Sequence, residues 1–295
     1  MKIKTSTIQE SAARAINRQV DSAHWYRPDG TPEYTQIVKT GPNKGKERPT
    51  SLADARKFGL FPSITSIEKV LANRMLENYL KKHLLTAAYN TTPREGEAAE
   101  MYFSRVLEQS EKDSLEAANK GTNYHDELEK ILHGRSDWDK ADEKLQIAEH
   151  WIRKNVDDVI WTEKVIVDKK MAVAGKSDGL VIVNGRKTII DWKSRRFAYD
   201  EKKGQWVCRW YSSDCRQLSF YARAWYRQEN ECVQVMNIGM NTNADSELQT
   251  KVWGDVERNK ALKAVEAINF IWQYDRDYYP NQGNIMPVIE EVYSK

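Results

Sequence analysis

Apolar positions along this chain follow two different periods, and the two alternate. From Thr65 the spacing of Ile67, Val70 and Leu71 is helical. Thr65 with Glu68 fits a capping box, so a helix is predicted from here to about Ala88, carrying Arg74, Lys81 and Lys82 outward. Pro93 restarts the chain, and the Ala- and Glu-rich stretch from Glu95 to Asn119 predicts a second helix, broken at Gly121. Thr122 to Leu132 reads as a third, with Tyr124, Leu128 and Ile131 on one stripe, and a fourth runs around Asp139 to Lys154 with Leu145, Ala148, Trp151 and Ile152 inward. The period then changes to two. Val159 to Val167 predicts a strand with Trp161, Glu163 and Val165 on one side. Leu180 to Val183 and Thr188 to Ile190 are apolar runs flanking Asn184-Gly185, the strongest short hairpin signal. Ser212 to Gln228 is helical, Val233 to Asn241 and Leu248 to Trp253 are strands, and Asp255 to Trp272 is a closing helix capped by Asp255.

The order of helix, strand, hairpin strand, helix and strand predicts an α/β domain with a small mixed sheet. A hairpin closed at Asn184-Gly185 brings Asp178 and Asp191 near the ends distant from the turn. Asp191 and Lys193 point the same way from their strand, while Trp192 points the other. Two converging carboxylates repel unless something positive lies between them. A divalent metal suits that place, because hard cations such as Mg²⁺ prefer oxygen ligands. An Asp-x-Lys triplet alone is more often a surface ion pair, worth about 0 to 1 kcal/mol. His125 with Glu129, and Gln217 with Tyr221, are by spacing alone only helix-face pairs. Glu163, on the strand before the hairpin, is a candidate supporting carboxylate, with surface exposure the alternative.

These segments together carry more than each does alone. Gly121-Thr122-Asn123-Tyr124-His125, Gly175-Lys176-Ser177-Asp178-Gly179, Ile190-Asp191-Trp192-Lys193-Ser194 and Gln217-Leu218-Ser219-Phe220-Tyr221 follow one another in the chain. In that order they resemble the PD-(D/E)XK nuclease superfamily, and within it the RecB-like exonuclease branch. The Asp-Trp-Lys triplet and Pro62-Ser63-Ile64-Thr65 look like the phage exonucleases and the mitochondrial genome maintenance exonuclease of that branch. The resemblance implies a restriction-endonuclease-like core, a small mixed central sheet flanked by helices, with a helical N-terminal part laid against it. It divides the chain into an extension over residues 1–60 with a basic loop and a nuclease domain over 61–295, its helices at 63–119 and its catalytic core at 120–275. It further implies that His125, Asp178, Asp191 and the main-chain carbonyl of Trp192 bind one or two Mg²⁺ or Mn²⁺ ions, and that Gln217 and Tyr221 border the catalytic site. Lys193 would orient or deprotonate the attacking water, or stabilise charge on phosphorus. The activity implied is hydrolysis of DNA from strand ends, with single strands preferred, in replication, recombination or genome processing, plausibly in a phage. The alternatives are a structure-selective endonuclease of the same fold and a non-catalytic DNA-binding recombination subunit.

Composition refines this reading. A net charge of +3 on a chain with 30% charged residues leaves any affinity for DNA to local basic patches. The candidates are Arg195, Arg196, Lys202 and Lys203 just past the triplet, and Lys44 and Lys46 in the Gly41–Lys46 loop. Residues 1–20 read as a polar helix or loose arm, and Tyr274, Tyr278 and Tyr279 suit either stacking on bases or packing against the body. Three widely spaced cysteines, Cys208, Cys215 and Cys232, fit neither a disulfide framework nor the four-cysteine iron–sulfur cluster of some RecB-like relatives. With no apolar run of membrane-spanning length and a polar N-terminal stretch, the expectation is a soluble, cytoplasmic protein without a membrane partner. No G-x-S-x-G, H-E-x-x-H or P-loop pattern points to another hydrolase chemistry.

Overall fold

The computed structural model describes residues 24–71, 74–242 and 247–280; the arm read at 1–20 and the tail past 280 lie outside the described residues. A five-stranded mixed sheet carries the molecule. Its members are β5 (Val156–Asp168), β6 (Val173–Val183), β7 (Arg186–Arg195), β10 (Gln234–Asn241) and β11 (Leu248–Val252), in the order β11-β10-β7-β6-β5. All neighbours are antiparallel except β7 and β10, which run parallel across the connection through helix α6 (Ser212–Glu229). The β6–β7 hairpin closes at Asn184 and Gly185, both at positive φ (+49° and +75°), as the two-residue turn that matches strand twist requires.

Each face of the sheet buries its own core. One face packs Leu180, Ile189 and Val235 against Leu218, Phe220 and Ala224 of α6 and Val265, Ile268 and Trp272 of α7 (Asp255–Asp275). The N-terminal segment completes this core. Trp25 of β1 (Trp25–Tyr26), Ala55 of α1 (Leu52–Phe58) and Leu60 enter it, and β1 pairs with β4 (Phe61–Pro62). Tyr278 closes over them, its hydroxyl donating to the carbonyls of Ala55 and Leu60 at 2.9 and 2.7 Å. The opposite face packs Val181, Ile190, Trp192 and Ile238 against two more helices. Those are α4 (Ala99–Leu132), through Leu128, Ile131 and Leu132, and α5 (Glu143–Asn155), through Leu145, Ala148 and Ile152. Short hairpins β2–β3 (Thr35–Ile37, Glu47–Pro49) and β8–β9 (Ala198–Asp200, Gln205–Val207) project from this body. No helix of the described residues is long and apolar enough to cross a membrane.

The elements differ from the sequence reading in four places. The first helix begins one cap earlier, at Ser63, whose hydroxyl accepts from Ser66 N–H. It lasts a single turn, α2 (Ile64–Ile67), continues as a 3₁₀ turn over Glu68–Val70 and ends at extended Leu71 before α3 (Arg74–Asn90). Glu68 does not close a capping box with Thr65; its carboxylate pairs with Arg216 at 2.7 Å. Gly121 does not end a helix either. α4 runs through it for 34 residues, because one interior glycine costs only about 1 kcal/mol. On β5 the apolar alternation changes face after Glu163, which has φ +50°, so Trp161 and Ile166 share one core while Val165 packs with Tyr26 and Phe61. At the start of α7 the cap is Gly254, its N–H bonded to the Glu257 carboxylate, rather than Asp255.

The far end of β5 is tied down by a buried charge. Asp168 is fully buried, accepts from the Met171 N–H at 3.0 Å and pairs with Arg227 of α6 at 2.6 Å. Removing one partner of such a pair leaves the other uncompensated, so Asp168→Ala is expected to lower the unfolding free energy by about 3 kcal/mol. Urea denaturation followed by tryptophan fluorescence checks this; a loss under about 1 kcal/mol would mean that the pair does not anchor α6 to β5.

Candidate active site

One row of polar side chains crosses the sheet. The β6–β7 ladder ends at the Gly179–Ile190 pair, and the next residues on the two strands are Asp178 and Asp191. On the outer side of β6, Glu163 lies between the Thr162–Gly179 and Lys164–Ser177 pairs, level with Asp178. On the other side, Asn237 of β10 is the direct partner of Asp191. Where the ladder stops, the Asp178 carboxylate takes over, accepting the Trp192 N–H at 2.7 Å. His125 comes from α4, the layer on the opposite face, and its Nδ1 lies 3.5 Å from Asp178. His125, Glu163 and Asp178 each offer a ligand atom within 4.8 Å of the others.

Lys193 lies one pleat beyond Asp191. Its Nζ donates to Asp191 at 2.8 Å and to Gln217 Oε1 at 3.0 Å. Gln217 Nε2 donates to the Tyr221 hydroxyl at 3.2 Å, and that hydroxyl donates to the carbonyl of Lys176 at 2.8 Å. The i, i+4 spacing of Gln217 and Tyr221 places both on the α6 face that covers β6 and β7. Tyr221 fits only because residue 175 is glycine: a Cβ there would lie 2.8 Å from Tyr221 Cε1 and 3.1 Å from Ile64 Cγ2. The Pro62–Thr65 stretch thus packs on the β6 segment that carries Asp178, and Ser63 bridges Ala174 in parallel.

The electrostatics follow from burial. Burial raises the Asp178 carboxyl well above the usual carboxylate range, and the charge of Asp191 adds to this against the partial relief of Lys193 and the Trp192 N–H. Burial works against the Lys193 ammonium, yet Asp191 and Asp178 outweigh it and raise its pKa. Lys193 is therefore a charged donor in this arrangement, whereas the residue alone leaves the roles of base and cation equally open. Burial, the larger influence, lowers the His125 pKa, leaving a neutral imidazole able to ligate. An imidazole nitrogen with two converging carboxylates is a donor set that divalent ions accept. Asp191 is engaged otherwise, between Lys193 and the Asn237 amide, which donates to its Oδ2 at 2.6 Å.

The remaining candidates separate by exposure. Arg196, Lys202, Lys203, Lys44 and Lys46 are all exposed. Arg195 is held in a fork with Asp214, at 2.5 and 2.7 Å, and also donates to the Arg209 carbonyl at 2.7 Å. Lys176, given no role of its own by the sequence, pairs with Glu163. Asn237 was hidden within an apolar strand, and the only signal it gave was a polar residue in the run Val233–Asn241.

The geometry fits what comparison with known proteins returns. The model of the PD-(D/E)XK nuclease superfamily matches residues 71–269, two thirds of the chain and every element of the row. The chain belongs to the PD-(D/E)XK nuclease superfamily. Members of this superfamily cleave nucleic acid with divalent metals. Among solved structures it is similar to a candidate exonuclease from Eubacterium rectale at 13% identity and a TM-score of 0.39, covering 70% of this chain and 87% of that one. It is also similar to SSO0001 at 12% identity and a TM-score of 0.21, covering 73% and 97%. No curated protein matches it.

The fit of Tyr221 against Gly175 generates a prediction. Gly175→Ala forces Tyr221 from the Lys176 carbonyl, with an overpacking cost of about 1 to 3 kcal/mol and a loss of nuclease activity larger than the loss of folded protein explains. Thermal melting beside activity per folded molecule checks this. Wild-type activity in a stable Gly175→Ala protein would show that Tyr221 has no part in the site.

Proposed function

We propose that this nuclease is a metal-dependent DNA exonuclease that hydrolyses phosphodiester bonds from strand ends, prefers single-stranded DNA and serves replication, recombination or genome processing, plausibly in a phage. The observation that supports it most is the gathering of His125, Asp178, Asp191, Lys193, Gln217 and Tyr221 along one rim of the sheet, because His125 and the Gln217–Tyr221 pair are the additions that mark the RecB-like exonuclease branch in this sequence. Asp178 and His125, with Asp191 and the Trp192 carbonyl, would hold Mg²⁺ or Mn²⁺, and Glu163 stands close enough to share the task. What a bound divalent ion supplies there is positive charge against the scissile phosphate and a lowered pKa for a water.

The chain's own residues do the rest. Lys193 Nζ spends two donors on Asp191 and Gln217 and keeps a third for a phosphate oxygen or the attacking water. Gln217 and Tyr221 fix the height of that ammonium over the sheet. Attack in line forms the new bond between water oxygen and phosphorus as the bond to the sugar oxygen breaks; the water gives up one proton to solvent and the departing sugar oxygen takes one from solvent. The exposed cations Arg196, just past the triplet, Lys202 and Lys203 on the β8–β9 turn, and Lys44 and Lys46 on the β2–β3 loop, would carry the phosphate backbone. Arg195, locked to Asp214, would stiffen the path rather than touch DNA.

The test is to incubate end-labelled single-stranded, duplex and circular DNA with Mg²⁺, Mn²⁺ or EDTA, beside Lys193→Ala. The expected result is short products from linear single strands, intact circles, no cleavage in EDTA, and a rate at least about 10²-fold lower in the variant. Nicked circles would make the protein an endonuclease, and binding without cleavage would make it a DNA-binding subunit.

A further inference from the structure

Asp191 is held from behind by a hydrogen-bonded line that starts at the edge of the sheet. Asn237, fully buried on β10, is the ladder partner of Asp191 on the parallel neighbour β7, so the two side chains leave the same face side by side. Its Nδ2 donates to Asp191 Oδ2 at 2.6 Å, and its Oδ1 accepts from the Trp253 indole at 2.7 Å. An indole N–H can only donate, so the amide oxygen must face Trp253 and the amide nitrogen must face Asp191. Trp253 is itself held. Its backbone N–H donates to the Val235 carbonyl at 3.2 Å, Lys251 Nζ lies 4.8 Å from its ring, and it leads directly into α7. Lys193 meets the same carboxylate, its Nζ lying 2.8 Å from the Oδ2 that takes the amide and 3.0 Å from Oδ1. Asp191, only 3% exposed, thus has its plane set by two donors.

We propose that Asn237 and Trp253 are positioning residues that set the rotamer of Asp191, and through it the metal affinity of the site and the placement of Lys193. This rests on the reading of Asp191 as a member of the metal centre. Without the amide, the carboxylate has one donor instead of two and can turn toward Lys193. Asn237→Asp would be worse than removal, since it sets a second carboxylate against the first. Trp253→Phe keeps a ring at a half-buried place and deletes only the donor, freeing the Asn237 amide to flip.

The experiment is calorimetric titration of the full chain with MnCl₂ alone, for wild type, Asp178→Ala, Asn237→Ala and Trp253→Phe, with thermal midpoints in EDTA and kcat and KM on single-stranded DNA alongside. The expected result is a Mn²⁺ Kd about 10- to 100-fold weaker in Asn237→Ala, with a smaller loss in the same direction for Trp253→Phe. In both, kcat falls while KM for DNA holds. A merely structural role would lower the thermal midpoint in EDTA and leave the Kd of the folded protein alone, and that result overturns the inference. Should Asn237→Ala fail to fold, Trp253→Phe decides on the same criterion. Wild-type protein whose Mn²⁺ binding does not depend on Asp178 overturns the metal reading and this inference with it; Asp178-dependent binding that Asn237→Ala leaves untouched overturns this inference alone.

Discussion

Repulsion between two carboxylates organises this molecule. Asp178 and Asp191 face each other where the β6–β7 ladder stops, and burial deepens the cost of charging Asp178 beside its neighbour. Everything nearby answers that cost with a donor or a cation. The Trp192 N–H, left without a strand partner, turns to Asp178, and Lys193 and the Asn237 amide share Asp191. One deficit remains. The ligand atoms of His125, Glu163 and Asp178 converge, and among the described residues Lys176, which pairs with Glu163 from an exposed position, and Lys193, beside Asp191, are the cations that act on them. A divalent ion, which nucleases of this superfamily use, would meet that deficit.

The fold supplies the rigidity that such crowding needs. Gln217 and Tyr221 are set by α6, and α6 is pinned at its other end by the Arg227–Asp168 pair and along its length by the larger core. The N-terminal segment belongs to the same mechanical unit: Ile64 and Tyr221 close on Gly175 from two sides, and Trp25 and Tyr278 seal the layer behind them. On the other face α4 contributes His125 while Leu128 and Ile131 bury its stripe, so one helix both packs the sheet and brings the imidazole to its rim.

Much of this was legible in sequence where the signal is local. The hairpin at Asn184-Gly185, the shared face of Asp191 and Lys193, and the helical pair Gln217 and Tyr221 each depend on residues within a few positions of one another. What was not legible depends on register between distant strands or on small competing energies. Asn237 reads as a polar interruption of a strand until β10 is known to run parallel to β7 with residue 237 beside 191. The use of Arg195 on Asp214, and of Glu68 on Arg216, joins segments whose contact no spacing announces. The run of α4 through Gly121 turns on about 1 kcal/mol of propensity against tertiary packing, a contest that composition does not decide.

The central claim is that four separated segments bring their acidic, imidazole and amino groups around one shared ion. Anomalous diffraction from a crystal of the protein grown with Mn²⁺ measures this directly. The account predicts the strongest manganese peak within coordinating distance of Asp178 and His125, with Lys193 beside it. A manganese peak remote from Asp178, or a crystal structure in which these groups face different surfaces, would contradict it.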